Sequence, residues 1–303
     1  MSTNIKTKNS KSKVKETPME RIYVFIAYAF VVILILATLY PLIYVVSSSF
    51  SSSQAVMRNQ VFLLPVDFTA RAYDVVFQFN GLWMSFFNSI FYTLVGTLIS
   101  LFFTITAAYP LSRKRWKARK FFNVFLVFTM WFGGGMIPFY LVMKELNLLD
   151  SRLGILLYGA VSTFYIIIFR INFEAIPDEL EESAKIEGAN DLQILIQIMI
   201  PLSKAVIAAI ALYYAVGKWN SYFWEMILLS DQDKEPLQVL LQRIISASQF
   251  DESASRALSR GEQSTPQTIK FAAIVVTSIP IVVVYPFLQK YFVAGTLAGS
   301  VKG

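Results

Sequence analysis

Ile176-Pro177-Asp178-Glu179-Leu180-Glu181-Glu182-Ser183-Ala184-Lys185-Ile186-Glu187-Gly188-Ala189-Asn190-Asp191-Leu192-Gln193 is a polar segment set between apolar runs, and it carries its own helix signals. Pro177 suits a first helical position, and the acids at 178, 179, 181 and 182 favour the positive end of a helix. Ile176, Leu180 and Ala184 share one face at i, i+4 spacing. Gly188 stands where a left-handed C-terminal cap belongs. Asn190 with Gln193 then starts a second helix by a capping box, and Pro201 kinks its entry into the next apolar run. The segment therefore predicts a short helix, a sharp glycine turn and a second helix. A helix this short needs a packing partner to be stable. Two readings are open: a knob for a groove in another protein, or a helix lying on the membrane. Surface helices facing anionic lipid are usually basic, and this one is acidic.

Outward from this segment the chain is apolar. It has 303 residues, 55% hydrophobic and 16% charged, too apolar for a soluble domain of that length. The apolar residues fall in runs long enough to cross a hydrocarbon core as helix. Six spans are expected, at about 22–46, 85–110, 121–143, 153–171, 202–224 and 270–292. The fold class is an all-α membrane protein, with a basic tail over 1–21 and a transmembrane domain over 22–303. The run after the tail is longer than a signal-peptide core and has no small-residue cleavage site at its end, so it reads as a retained helix. Basic residues crowd the tail and the loop Arg113, Lys114, Arg115, Lys117, Arg119 and Lys120, whereas the hairpin at 144–152 is balanced by Glu145 and Asp150. Both termini and the 113–120 loop are thus expected in the cytoplasm. That placement makes the net charge of +7 topogenic and not a nucleic-acid footprint.

The segments 47–82 and 231–268 are then exported, the second with a short amphipathic helix at the outer surface (Leu237, Leu240, Leu241, Ile244, Ile245). Gly133-Gly134-Gly135-Met136-Ile137-Pro138 interrupts the third span. It reads either as a flexible wall of a translocation path or as a packing kink. With no Cys and no His, thiol chemistry, Ser-His-Asp relays and the usual transition-metal ligand sets fall away. Ionisable residues within spans sit near their ends, Lys204 and Lys218 among them, which argues against a proton- or ion-coupled carrier and against an intramembrane enzyme.

Glu182-Ser183-Ala184, then Gly188, then Ile198-Met199-Ile200-Pro201 resembles the "EAA…G…I-x-L-P" signature of ABC-importer permeases, with Ser183 and Ile200 as mild departures. The resemblance implies that Leu180, Glu182, Ser183, Ala184, Gly188, Ile198 and Pro201 form a cytoplasmic coupling helix and its turn, seated in an ATPase subunit. The chain lacks the G-x-x-x-x-G-K-[ST] phosphate loop. Hence the resemblance implies a transport subunit, not an enzyme, with no cofactor of its own and with ATP and Mg bound by the partner ATPase.

Asn88-Ser89, Ala108 to Arg113, Trp219-Asn220 and the tail from Gln289 to Gly303 resemble the second permease of the carbohydrate, maltose-type branch. Phe132 to Pro138 and Asn147 to Asp150 are similar to the lipoprotein-associated oligosaccharide permeases of bacilli. The resemblance implies a homologous second permease, an ATPase dimer, an extracytoplasmic solute-binding lipoprotein and a sugar cargo, in a bacterial inner membrane with lipid around it and no nucleic acid. It also implies that Gly299, Val301, Lys302 and Gly303 of the tail contact the ATPase. A permease for a non-sugar polar solute such as an amino acid is the alternative.

For the substrate path, Asn88, Gly133, Gly134, Gly135, Trp219, Asn220 and Tyr222 are the candidates. Aromatic rings offer apolar faces to sugars and Asn220 could bond hydroxyls. Equally, Trp and Tyr gather at membrane interfaces, and Asn88 could serve an interhelical hydrogen bond.

Overall fold

In the computed structural model the described residues are 18–250 and 266–300, and they form helices with no strand among them. Helix α1 is Pro18–Ser49, followed by the short α2 (Ser53–Met57) and α3 (Arg71–Phe77). Helix α4, Leu82–Ser112, runs through the centre of the bundle. Then come α5 (Arg119–Trp131), α6 (Met136–Glu145), α7 (Arg152–Leu157), α8 (Thr163–Glu174) and α9 (Asp178–Ile186). Helices α10 (Asp191–Leu202), α11 (Lys204–Asn220), α12 (Phe223–Leu228), α13 (Leu237–Phe250) and α14 (Pro266–Ser300) complete the order.

Length and apolarity let α1, α4 and the Gln267–Val284 part of α14 cross a membrane unaided. Two more crossings arise if each bent pair counts as one, α5 with α6 and α10 with α11. The bends are 116° and 83°. The expected fourth span, 153–171, is not one helix. It is divided into α7, with 6 residues, and α8, with 12, and at ~1.5 Å per residue neither reaches across a core of about 30 Å. The break over 158–162 includes Gly159 at φ +61°. Span five likewise ends at Asn220 instead of continuing to 224, and the chain re-enters as α12.

Helix α4 packs against α8 and α11, while α1 and α13 pack on α14. Ile166, Phe169, Phe173, Ile194, Met199 and Ile210 fill the core at the C-terminal end of α4. Large apolar side chains on α1, such as Phe25 and Ile33, are exposed around the helix, as suits a lipid solvent. The expected amphipathic helix exists as α13. Its apolar face is buried against Ala72, Trp219 and Ile269 inside the protein instead of lying at an outer surface.

The polar segments sort to opposite ends of α4. At its N-terminal end Asn88 Nδ2 donates to the carbonyls of Asp233 and Glu235 at 2.8 and 3.1 Å. Tyr92 Oη donates to Lys234 O at 2.8 Å, and Leu237 N–H donates to Ser89 Oγ at 2.7 Å. The Asp150 carboxylate accepts the backbone N–H groups of Asp231 and Ser230 at 3.0 and 3.1 Å, and Lys234 bridges it at 3.1 Å. Those bonds, the Asp231 amide first, hold the Asp150 carboxyl below the usual carboxylate value. At the opposite end of α4 lie the 113–120 loop and α9.

Candidate functional site

Helix α9 forms as the sequence dictates and ends in a full Schellman cap. The Ala189 N–H donates to Ala184 O at 2.9 Å and the Gly188 N–H to Lys185 O at 3.0 Å, with Gly188 at φ +88°. Pro177 stands one residue earlier than expected, at the N-cap, because its ψ of 133° is extended. The capping box follows. Gln193 N–H donates to Asn190 Oδ1 at 2.9 Å, and Asn190 N–H to Gln193 Oε1 at 2.8 Å. Beyond it, Leu195–Met199 widens into a π turn, and Pro201 brings no N–H to the ladder. The chain bends at Ser203.

The expected apolar face is buried only in part: Ile176 and Ala184 pack on the core and Leu180 does not. Leu180 is 44% exposed and Ile186 88%, while Glu181 is 6% exposed. Arg113, itself 5% exposed, donates from Nη1 to Glu181 Oε2 at 2.7 Å, from Nη2 to the Phe173 carbonyl and from Nε to Ser112 Oγ. Lys185 also donates to Glu181, Arg115 pairs with Asp191, and Lys114 pairs with Asp178 at 3.0 Å. Burial alone would raise the Glu181 carboxyl, but the bonds from Lys185 and Arg113 outweigh it and hold it below its ordinary value. The basic loop is therefore a bracket that fixes α9 to the end of α4. Glu182 and Ser183 are left exposed, Ala184 and Ile198 are half-buried against the core, and Pro201 is exposed.

A second feature lies further along α4. A cavity of about 250 Å³ is walled by Tyr92, Tyr158, Tyr165, Tyr213 and Tyr214, with Ile155, Gly159, Ser162, Gly217, Lys218, Ser221 and Glu225 completing the wall. Tyr214 Oη and Thr104 Oγ1 share a 2.8 Å hydrogen bond, and Ser221 Oγ donates to Glu225 Oε2 at 2.8 Å. The cavity sits where α7 gives way to α8 and α11 gives way to α12. Broken helices at membrane depth are tolerated where their free backbone groups line a cavity or meet protein.

None of the substrate-path candidates is among the residues lining this cavity. Asn88 is buried and donates its amide to the carbonyls of Asp233 and Glu235. Trp219 is 7% exposed and packs edge-on to Phe86 in the core, so it forms no interfacial belt. Asn220 is exposed and donates back to Val216 O at 2.9 Å, and Tyr222 is exposed. Gly133, Gly134 and Gly135 break α5 from α6 on an open surface, with at most Pro138 in reach of an added Cβ. Of the tail, Gly299 belongs to α14, and Val301, Lys302 and Gly303 lie outside the described residues, as does most of the expected exported segment after 250. The tyrosines are scattered from 92 to 214 and share no spacing, so no sequence pattern brings them together.

Residues 79–297 match the family described as binding-protein-dependent transport system inner membrane component. The chain belongs to that family. This permease is 41% identical over 283 residues to the polygalacturonan/rhamnogalacturonan transport system permease protein YtcP of Bacillus subtilis (strain 168), covering 93% of this chain and 99% of that one. It is 43% identical over 267 residues to protein LplC of the same organism, covering 88% and 90%. Among solved structures, a bacterial ABC transporter involved in the import of the acidic polysaccharide alginate superposes with a TM-score of 0.85 at 44% identity, covering 91% of this permease and 99% of that chain. The inner-membrane permease expected from the coupling signature is thus established at the level of family and fold.

Proposed function

We propose that this permease translocates an oligosaccharide through the tyrosine-walled cavity, driven by a separate ATPase that seats α9. The observation that carries the reading is the convergence of two helix breaks on a cavity walled by five tyrosines. Tyrosine gives a flat apolar ring for a sugar face and a hydroxyl for its polar edge. The relatives support a carbohydrate cargo over an amino acid, since one carries polygalacturonan or rhamnogalacturonan and the solved neighbour imports alginate. Both cargoes are acidic, so a uronic-acid oligosaccharide is the class this permease takes.

Energy enters at α9. Its exposed Leu180, Glu182, Ser183 and Ile186 form the surface an ATPase cleft would cover. Movement of α9 pulls on Arg113, and Arg113 ends the helix that carries Tyr92 into the cavity. Alternating access follows from that linkage, with a homologous second permease completing the path and an extracytoplasmic binding lipoprotein delivering cargo. The lysine- and arginine-rich end that holds α9 faces the cytoplasm.

The test is to express Tyr158→Ala, Tyr213→Ala and Ile186→Asp with the partner subunits. The tyrosine variants are expected to lose most uptake of the cargo and still copurify with the ATPase. Ile186→Asp is expected to lose the ATPase. Normal uptake by both tyrosine variants sinks the cavity as the cargo path.

A further inference from the structure

Lys218 is a charged side chain on the cavity wall that the mechanism above leaves unused. Sequence spacing puts it near a span end, yet α11 stops at Asn220 and lays Lys218 against the middle of α4. Its stem lies against Gly96, near the midpoint of the 31-residue α4. A Cβ at Gly96 would fall 2.7 Å from Lys218 Cδ and 2.9 Å from Cε, so the absence of a side chain there makes the slot in which the lysine lies. Lys218 makes no ion pair among the described residues. Glu225, the other charged group on the cavity wall, is 5% exposed and accepts from Ser221.

Glu225 acts on Lys218 electrostatically without a direct ion pair, and a cation held within a membrane bundle with its ammonium free of a direct partner marks a substrate pathway. We propose that Lys218 binds a carboxylate of the cargo and thereby selects acidic sugars, uronides, for passage. This rests on the cavity being the cargo path. The tyrosine rings take the faces of the sugar, Lys218 takes its carboxylate, and the Glu225 carboxylate, an acceptor alone when ionised, takes hydroxyl hydrogens. The two opposite charges on one wall orient a monoanionic sugar unit, which presents hydroxyls on one side and a carboxylate on the other.

The chain has no cysteine, so Lys218→Cys introduces its sole thiol. The assembled transporter carrying Lys218→Cys is assayed for uptake of trigalacturonate before and after treatment with aminoethyl methanethiosulfonate, which rebuilds a primary ammonium. Methyl methanethiosulfonate, which adds a neutral group, runs in parallel, and wild-type transporter controls for thiols on the partners. The expected result is a fall of at least tenfold in Lys218→Cys, recovery with the aminoethyl reagent and none with the methyl reagent. Uptake by Lys218→Cys equal to wild type overturns the proposal, as does equal recovery with both reagents or no recovery once mass spectrometry shows the introduced thiol modified. A thiol that stays unmodified also overturns it, because a sugar path must admit a smaller reagent. Loss of uptake in Tyr158→Ala and Tyr213→Ala with normal uptake in Lys218→Cys leaves the cavity as the path and removes the charge reading alone.

Discussion

Gly188 turns the chain at φ +88°, and no heavy atom lies within 4 Å of where its Cβ would be. A substitution there is therefore a matter of backbone strain and not of crowding. Gly188→Val should cost about 1–3 kcal/mol locally, the scale of a forced left-handed residue. That is small against whole membrane helices and large against docking of one short helix, where ~1.4 kcal/mol is tenfold in affinity. Normal membrane levels with strongly reduced transport and ATPase copurification are expected, and normal transport would show that the turn is not part of coupling. Glu181 is the second decisive residue. Glu181→Gln leaves the Arg113 guanidinium buried without its counter-charge, a loss of about 3–5 kcal/mol at that contact. Glu182→Lys, at an exposed position, should weaken docking and leave the bracket whole. Amide-exchange protection of α9 separates the two variants, falling in the first and holding in the second. The same measurement has a pH signature. Because the folded Glu181 carboxyl lies below its unfolded value, the stabilisation is fully present above the unfolded value and is lost as pH falls through the folded one. Protection of α9 should stay level from neutral pH into the ordinary carboxylate range and drop only in stronger acid. The cap at Gly188 was readable because it is local. The choice of Glu181 over its three acidic neighbours was not, since it depends on where Arg113 arrives from the end of α4.

At the scale of elements, the breaks matter more than the helices. The Gly133-Gly134-Gly135 interruption is visible in sequence because three glycines and a proline abolish helical preference within six positions. The interruption at 158–162 has a single glycine amid apolar residues, and the one at Ser221 has none. Both run through stretches whose hydropathy alone reads as continuous span. Tertiary contact decides them: α7 and α12 belong to a core with Tyr92 and Met143, whereas α8 and α11 belong to another with Tyr109 and Phe173. Gly96→Ala tests this level. An added methyl 2.7 Å from Lys218 Cδ must displace the lysine or part α4 from α11. Uptake should fall while α9 remains protected from exchange and the ATPase copurifies. Loss of the ATPase in Gly96→Ala would mean that the slot supports the whole bundle.

For the whole molecule, the two ends of α4 organise everything polar. Lys114 and α9 lie at one end, and the 230–237 loop lies at the other. Single-cysteine labelling is clean in a chain without thiols. Lys114→Cys should react from the cytoplasm and Gln232→Cys from outside, and labelling of both from one side would overturn this arrangement. Composition, apolar run length and the signals from Pro177 to Pro201 determined by themselves an all-helical membrane protein with a short, capped, acidic helix between its apolar runs. Each of those properties is set by residues close in sequence: hydropathy over a span, capping over four residues, a left-handed turn at one glycine. Tertiary structure alone decided which acid anchors α9, that Trp219 and Asn88 are buried, and that five scattered tyrosines wall one cavity with Lys218 at its side. Those outcomes join residues tens of positions apart, and burial, not sequence spacing, determines which of them meet.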